Sequence, residues 1–397
     1  RDDANTFLEI LARLGFKEAR PAPDKELPGV FHFFGYDHTS DTYVHVHAHY
    51  QLVLGHDATK NYHLPIERAY VESSTMDVVF PLPSAEFEFV VFIIRMVLKH
   101  ATWDAILTGQ AKLSKSEERE LNDLLERSDE AEVARILRTA LPHVSQDAFD
   151  SCAQAFSLNR SYLVRWRAGR RLLCELRPYA RRTILKATCL KWWRIAKWGT
   201  RRFILGLRSK KNLSHGGALI AVIGADGSGK SSVIASLEKW LGAKFHLETR
   251  HMGKPPWSAS TYPIKLAIKA LRRSKASDDS ATQKGSFWLL LWHVVTARDR
   301  YRNYMTARRA ASNGAIVLCD RFPLANVKSM DRRRSREIVG DRPTGWLTRT
   351  LAAMEDRYYR AMSPPDVLIV LRVSPDVAVA RRADEPEMRS RSRAEEV

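Results

Sequence analysis

The sequence predicts an α/β protein whose second half is a three-layer domain, a parallel sheet with helices on both faces. Short apolar runs at residues 218–223, 315–319 and 366–373 are typical of buried parallel strands. Segments with the apolar spacing of amphipathic helices separate these runs, so that strands and helices alternate. A glycine-rich loop directly follows the first run.

Two smaller segments precede this domain. Residues 1–105 predict an N-terminal α/β domain, because helical spacing of apolar residues gives way to alternation after the Pro- and Gly-containing stretch 21–29. Residues 106–215 predict a helical connector that ends in a strongly basic segment. The predicted domains are therefore 1–105, 106–215 and 216–397.

Charge is unevenly spread along the 397 residues, whose formal net charge is +19. Residues 1–150 contain 15 Lys and Arg against 25 Asp and Glu, a net charge of −10, which leaves +29 for the rest. We expect the basic part to face a polyanion: a nucleotide, a nucleic acid or an anionic membrane surface.

Membrane-spanning and disulfide-rich classes are not expected. No apolar run reaches the length of about 18 residues that a spanning helix needs. The four cysteines are scattered without CxxC spacing, which argues against a disulfide framework and a zinc knuckle. A reducing cytoplasm is the simplest compartment for such a chain.

The most basic segment is residues 160–211, which hold 17 Lys and Arg against the single Glu175. On a helix, one side would carry the cations Arg182, Lys186, Arg194, Lys197 and Arg201. Another side would carry Leu185, Cys189, Trp192, Ala196 and Phe203. Either this helix docks on an anionic membrane surface or a nucleic acid, or it is a solvated helix that packs its Trp-rich side on neighbouring domains.

The glycine-rich loop has the spacing G-x-x-x-x-G-K-[ST] over residues 224–231, which identifies the domain as P-loop NTPase-like. Backbone N–H groups and the positive end of the following helix would point at the phosphates of ATP. Lys230 would reach the β- and γ-phosphates, and the Ser231 hydroxyl would hold Mg²⁺. The residues expected to bind ATP are Gly224, Asp226, Gly227, Ser228, Gly229, Lys230, Ser231 and Ser232.

A second motif ends the strand at residues 316–319 on an Asp-Arg pair. A parallel strand delivers the residue at its carboxyl end to the edge of the sheet where the phosphate loop lies. Asp320 would therefore hold Mg²⁺, directly or through a water, and Arg321 would clamp the phosphoryl group of an acceptor. Lys230, Arg321 and Asp320 are the predicted catalytic residues.

Residues 217–397 resemble the thymidylate kinases in the order and spacing of four segments: the loop 224–232, the helix ending in Ala297-Arg-Asp-Arg300, the strand 314–322 and the strand 365–371. The resemblance implies that Asp226 sits near the sugar of the acceptor nucleotide. It also implies that Arg321 contacts the acceptor phosphate together with Arg300, for which Arg298 is the other candidate. Arginines of a catalytic lid would begin with Arg381, Arg382, Arg389, Arg391 and Arg393.

The N-terminal segment resembles the middle and end of a nucleotidyltransferase-like domain, through Leu14-Gly15-Phe16 and the stretches 44–49 and 52–55. That family's Gly-Ser turn and Asp-x-Asp pair are not in this chain, so the domain is expected to be degenerate or truncated. His45, His47 and His49 would share one face of a strand, either as a zinc site or as a polar sheet face.

Two functions compete. A nucleotide kinase, similar to the thymidylate kinases, would pass the γ-phosphoryl group of ATP to a nucleoside monophosphate or a related phosphorylated acceptor. Alternatively, an ATP-binding regulatory or assembly module would dock on membrane or nucleic acid through the basic Trp-rich helix. Arg321 beside Asp320 favours the kinase, because a switch has no need of it. A second copy of the chain is a further expected partner.

Overall fold

The computed structural model describes residues 2–56, 58–76, 80–103, 105, 112–158, 160–204, 210–225, 227–253, 256, 261–264, 266, 281–324 and 345–380. The chain divides into two compact units. Unit 1 comprises Arg1–Ala22, Phe34–Val44 and Ser209–Val397, and unit 2 comprises Pro23–Phe33 and His45–Arg208.

Strands and helices occur in both units. In chain order the strands are β1 (Lys17–Arg20), β2 (Val30–Asp37), β3 (Thr42–His49), β4 (Leu52–Leu54), β5 (Tyr62–Leu64), β6 (Thr75–Met76), β7 (Pro81–Leu82), β8 (Asn212–Leu213), β9 (Ala218–Gly224), β10 (Leu247–His251), β11 (Ile316–Asp320) and β12 (Val367–Leu371). The α-helices are α1 (Asp2–Arg13), α2 (Glu67–Glu72), α3 (Ala85–His100), α4 (Lys115–Arg127), α5 (Glu130–Ala140), α6 (Gln146–Ser157), α7 (Tyr162–Glu175), α8 (Ile184–Gly199), α9 (Lys230–Leu241), α10 (Ala281–Ser312), α11 (Trp346–Arg360) and α12 (Pro375–Ala380).

The predicted parallel sheet is confirmed in unit 1, where four strands lie in the order β10-β11-β9-β12. Successive residues of β9 point to opposite faces and enter two different cores. Leu219 and Ala221 pack with apolar residues of α10, whereas Ile220 and Val222 pack with apolar residues of α9. Helices therefore cover both faces of the sheet, as the continuous apolar run of β9 predicts.

The first residues of the chain belong to unit 1, although the sequence boundaries group them with residues 45–105. Strand β1 pairs with β8, which lies almost 200 residues later, and places Ala19 opposite Leu213. The ring of Tyr43 stacks on Trp240 of α9 with centroids 5.4 Å apart. Local sequence patterns carry no signal for such pairings, because they depend on residues far away along the chain.

Unit 2 is built around α3, whose side chains are apolar on nearly all sides. Ile93, Ile94 and Val97 are fully buried among residues of α4, α5, α6 and α7. The Oγ atom of Ser84 accepts a hydrogen bond from the N–H of Phe87 and caps the start of α3. The charged stretch after residue 114 forms two helices, α4 and α5, one of the two arrangements that its pattern allows.

The sequence pattern does not predict β10. Its charged residues Glu248 and Arg250 interrupt the apolar signal, which is tolerated because β11 is the one described strand that pairs with β10, at the edge of this sheet. In the described parts of the chain, no helix combines the length and apolarity needed to cross a membrane.

Candidate functional site

The phosphate loop lies at the carboxyl end of β9, between β11 and β12. The strands β11 and β10 lie on one side of β9 in the sheet, and β12 lies on its other side. Ligands of open α/β sheets bind at such a point, because the loops separate there and leave a crevice. The loop therefore occupies the place in the sheet that its sequence spacing predicts.

Three glycines give the loop its path. Gly224, Gly227 and Gly229 have φ angles of +156°, +89° and +90°, in the region that side chains disfavour. A β-carbon on Gly224 would lie 2.6 Å from the carbonyl oxygen of Leu371, and one on Gly227 would lie 2.8 Å from that of Ala378. The end of β12 and the helix α12 thus press directly on the loop.

Lys230 begins α9 and is only 9% exposed. Its Nζ atom donates hydrogen bonds to the carbonyl oxygens of Gly224, at 2.9 Å, and Ala225, at 2.6 Å. Ser231 and Ser232 follow it on the exposed side of the first helical turn, where backbone N–H groups have no partner within the helix. Ser228 is buried, and its Oγ atom has no hydrogen-bond partner among the described residues.

Asp320 ends β11 opposite Val222 of β9 and His251 of β10. Its Oδ2 atom lies 3.6 Å from Nε2 of His251. The Oδ1 atom is buried, and no described residue donates a hydrogen bond to it. A buried carboxylate oxygen left without a donor is costly, so this atom calls for a cation or a donor beyond those that the described residues provide.

Arg321 follows in a left-handed conformation, with φ of +64°. Its N–H donates to the carbonyl oxygen of Val222 at 3.1 Å, which ties the turn to β9. Non-glycine residues adopt this conformation at a cost of about 1–2 kcal/mol, and such strain concentrates at functional sites. Phe322, which follows, is buried against Tyr304 of α10.

The donor set fits Mg²⁺. The carboxylate of Asp320 and the hydroxyl of Ser231 are hard oxygen donors, and Mg²⁺ usually binds one or two protein groups together with phosphates. Among the described residues no group of three or more His, Cys, Asp or Glu side chains is arranged to hold a metal by itself. His45, His47 and His49 share one face of β3, where His32 stacks on His47 with ring centroids 4.3 Å apart.

Arg300 is buried and bound to the segment after β10. Its Nε atom donates to the carbonyl oxygen of Met252 at 2.7 Å, and its Nη2 atom donates to that of Gly253 at 3.1 Å. The N–H of Met252 in turn donates to the carbonyl oxygen of Asp320 at 3.0 Å. The structure therefore brings Arg300 and Asp320 to one edge of the sheet, and at least part of the guanidinium holds the neighbouring backbone.

The other candidates are placed differently. Arg298 pairs with the adjacent Asp299, with 3.0 Å between Nη2 and Oδ1. The predicted sugar-side residue and the lid arginines lie outside the described residues: Asp226, Arg381, Arg382, Arg389, Arg391 and Arg393.

Sequence reasoning missed His251 and Asn303. Strand β10 carries His251 to the same edge as Asp320, and Asn303 of α10 donates from Nδ2 to the carbonyl oxygen of His251 at 3.2 Å. No apolar pattern marks Leu247–His251, so the position of His251 follows only from the pairing of β10 with β11.

Asp366, just before β12, is a structural carboxylate. Its Oδ2 atom accepts from the N–H of Leu219, and its Oδ1 atom accepts from Arg308, both at 2.7 Å. Burial alone would raise the pKa of this carboxyl, but the hydrogen bonds from Arg308 and Leu219 outweigh it and lower the pKa below its usual value. This pair fixes the base of β9, far along the strand from the phosphate loop.

Comparison with known proteins gives relatives that are named as ATP-binding proteins. No family model matches the chain. It is 29% identical over 175 residues to the "Uncharacterized ATP-binding protein YghR" of Escherichia coli strain K12, a match that covers 42% of this chain and 69% of that protein. It is 26% identical over 178 residues to the "Uncharacterized ATP-binding protein YghS" of the same strain, over 42% of this chain and 73% of that protein.

A third relative bears the name of a kinase. The chain is 25% identical over 165 residues to "Probable thymidylate kinase 2" of Saccharolobus solfataricus, over 42% of this chain and 63% of that protein. Together with the parallel sheet and the loop geometry, these similarities support a P-loop, nucleotide-binding and kinase-like region in this chain.

Proposed function

We propose that this protein catalyses ATP-dependent phosphoryl transfer to a nucleoside monophosphate or a related phosphorylated acceptor. The observation that carries the proposal is the end of β11 next to β9: Asp320 and Arg321 follow each other there, and no described residue donates a hydrogen bond to the buried Oδ1 atom of Asp320. The similarity to "Probable thymidylate kinase 2" supports it. A chain that only binds ATP has no need for an arginine in a strained turn beside the metal-binding carboxylate.

Each residue has a defined task in this reaction. Lys230 exchanges the carbonyl oxygens of Gly224 and Ala225 for phosphate oxygens and neutralises their charge. Asp320 and Ser231 would hold Mg²⁺, which when bound offsets charge on the phosphates. Arg321 binds the acceptor phosphate and aligns it with ATP. Rate enhancement then comes from positioning and charge neutralisation, with little covalent chemistry by the protein.

The test is a transfer assay with γ-labelled ATP and a panel of nucleoside mono- and diphosphates. We expect Lys230→Ala to reduce turnover by about 100-fold or more, because it removes the positive charge that neutralises the transferred phosphoryl group. Arg321→Ala should raise the KM for the acceptor while ATP binding persists. Lys239→Ala, at the exposed end of the same helix, is the matched control and should leave turnover unchanged. A wild-type protein that binds ATP but phosphorylates no acceptor would overturn the proposal.

A second candidate function rests on α8. The side of this helix that carries Leu185 and Trp192 is exposed, by 77% and 43%, and the neighbouring Trp193 by 57%. These exposures favour the alternative in which the helix docks on a surface outside the chain. Large apolar side chains on one exposed face are typical of interaction surfaces.

We infer that an ATP-binding module of this kind docks on an anionic membrane surface. The exposed face is aliphatic as well as aromatic, which suits insertion between lipids better than contact with a nucleic acid. Cations flank it: Lys186 is exposed on α8, and residues 160–211 hold 17 Lys and Arg. Such clusters attract anionic lipids by about 1 kcal/mol for each cation near the surface.

Vesicle co-sedimentation tests this surface. The protein should bind vesicles of phosphatidylcholine with phosphatidylserine and bind pure phosphatidylcholine weakly. The double variant with Leu185→Ser and Trp192→Ser should bind these vesicles about tenfold or more weakly, since it removes apolar area that the lipid would bury on binding. Trp346→Ala removes a tryptophan of α11 that is 76% exposed, more than Trp192, and is the control. Equal binding by both variants would exclude α8 as the docking face.

A further inference from the structure

We propose that unit 2 contains a second ligand site, formed only by its own residues, for a planar aromatic anion. A cavity of about 300 Å³ lies between the end of α3, the helices α7 and α8, and the segment that joins β4 to β5. Small-molecule sites in proteins begin at about this volume. Its walls are mainly apolar, and a few polar side chains line it, among them Asn61, Arg170 and Lys191. This combination is typical of small-molecule sites.

Asn61 places a buried hydrogen-bond acceptor at this cavity. The residue lines the cavity and is 5% exposed. Its Nδ2 atom donates to the carbonyl oxygen of Arg182 at 2.9 Å, which fixes the orientation of the amide, because a carbonyl oxygen can only accept. The Oδ1 atom is therefore a buried acceptor, and it has no hydrogen-bond partner in the described part of the chain. A ligand that offers an N–H or O–H group would satisfy it.

The walls supply the second argument. Two tryptophans, Trp103 and Trp166, line the cavity and present ring surfaces on which a planar ligand can stack. The Cζ atom of Arg170 lies 5.1 Å from the ring centroid of Trp166, so this cation lies over an aromatic wall. The N–H groups of a guanidinium can bind a carboxylate or a phosphate.

Charge supplies the third argument. Arg170 and Lys191 both line the cavity, and no acidic side chain lines it among the residues that the structure describes. A ligand with one anionic group is therefore favoured over a neutral or cationic one. The cavity thus selects three features at once: a planar ring, an N–H or O–H donor for Asn61, and a negative charge for Arg170. Aromatic carboxylates and nucleoside monophosphates share this chemistry.

The experiment uses the full chain with Lys230→Ala, so that the phosphate loop contributes little to binding. Calorimetric titration compares indole-3-carboxylate, adenosine monophosphate and uridine monophosphate with neutral indole and inorganic phosphate. We expect at least one of the aromatic anions to bind more tightly than both indole and inorganic phosphate. Which of them binds distinguishes a carboxylate ligand from a nucleotide.

Two variants separate recognition from folding. Asn61→Leu keeps the size of the side chain and should weaken binding by about tenfold or more, because it removes the acceptor. Arg170→Gln should weaken the aromatic anions while leaving indole unchanged. Hydrogen exchange should show ligand protection at residues 55–62 and 166–191. Protection confined to residues 224–232, affinity unchanged in both variants, or no binding by any aromatic anion would overturn the proposal.

Discussion

Arg321 combines a binding role with an unfavourable backbone conformation. With φ of +64° its β-carbon crowds the backbone, and the hydrogen bond from its N–H to Val222 holds it there. Glycine would adopt the same turn without this cost. The presence of arginine at this position therefore favours function over stability.

The variant Arg321→Gly tests whether this position loses stability in exchange for function. We expect the free energy of unfolding to rise by about 1 kcal/mol, because the left-handed conformation no longer carries a steric cost. Phosphoryl transfer should fall at the same time. Denaturant unfolding of the nucleotide-free protein, paired with the transfer assay, measures both. A lower stability of the glycine variant would show that the turn is not strained.

Gly227 and Gly229 form a matched pair in the phosphate loop. Both have φ near +90°, but a β-carbon on Gly227 would meet Ala378, whereas one on Gly229 would have no atom of a described residue within 4 Å. Gly229→Ala should therefore cost only the conformational term of about 1–2 kcal/mol. Gly227→Ala should cost about 1–3 kcal/mol more, from overpacking against α12. Equal losses in urea unfolding would contradict the close approach of α12.

At the scale of elements, α3 and α4 are joined by a buried carboxylate. Glu117 accepts hydrogen bonds from Nζ of Lys99, at 2.7 Å, and from the N–H of Ser114, at 2.8 Å. Burial acts to raise the pKa of Glu117, but these bonds and one from His100 lower it to about 2. The carboxylate therefore stabilises unit 2 only in its ionised form.

This pKa sets an acid limit on stability. Because the folded pKa lies below the ordinary value of 4.5, the stabilisation is complete above about pH 4.5 and is lost as the pH falls toward 2. Glu117→Gln should lower the free energy of unfolding at pH 7 by about 1–3 kcal/mol and flatten its fall in acid. Glu120→Gln breaks only the exposed pair with Arg95 and should cost about 0–1 kcal/mol. Similar acid profiles for both variants would refute this role of Glu117.

The elements also show what the sequence can predict. The strands β9, β11 and β12 and the helix α9 agree closely with their apolar patterns, because buried strands and amphipathic helices leave strong periodic signals. Strand β10 leaves none, since an edge strand buries less of its surface and tolerates Glu248 and Arg250. His251 was missed with it, although it lies beside Asp320 in the candidate site.

At the scale of the whole molecule, charge is divided unevenly along the chain. The first 150 residues carry a net charge of −10 and the remainder carries +29. Electrostatic attraction to a lipid surface is screened within about 10 Å at 0.1 M salt and within about 3 Å at 1 M. Apolar insertion by α8 is not screened in this way.

Vesicle association should therefore depend on salt in a particular manner. Raising the ionic strength from about 0.1 M to about 1 M should weaken binding to phosphatidylserine vesicles strongly, as the Debye length shortens. Binding of the Leu185→Ser and Trp192→Ser variant should vanish over the same range, because it retains only the charge contribution. Salt-independent binding by the wild-type protein would contradict an electrostatic share in docking.

The sequence by itself determined the phosphate loop, the Asp-Arg pair and the alternation of strands and helices around them. These features are local: a run of apolar residues, a glycine spacing and a charged strand end specify them within a few residues. The tertiary structure alone decided that Tyr43 contacts α9, that Asp320 lies opposite Val222 and His251, and that the buried Oδ1 atom of Asn61 has no donor among the described residues. Each of these depends on residues distant in sequence, whose contacts are fixed by strand register and packing, which no local pattern encodes.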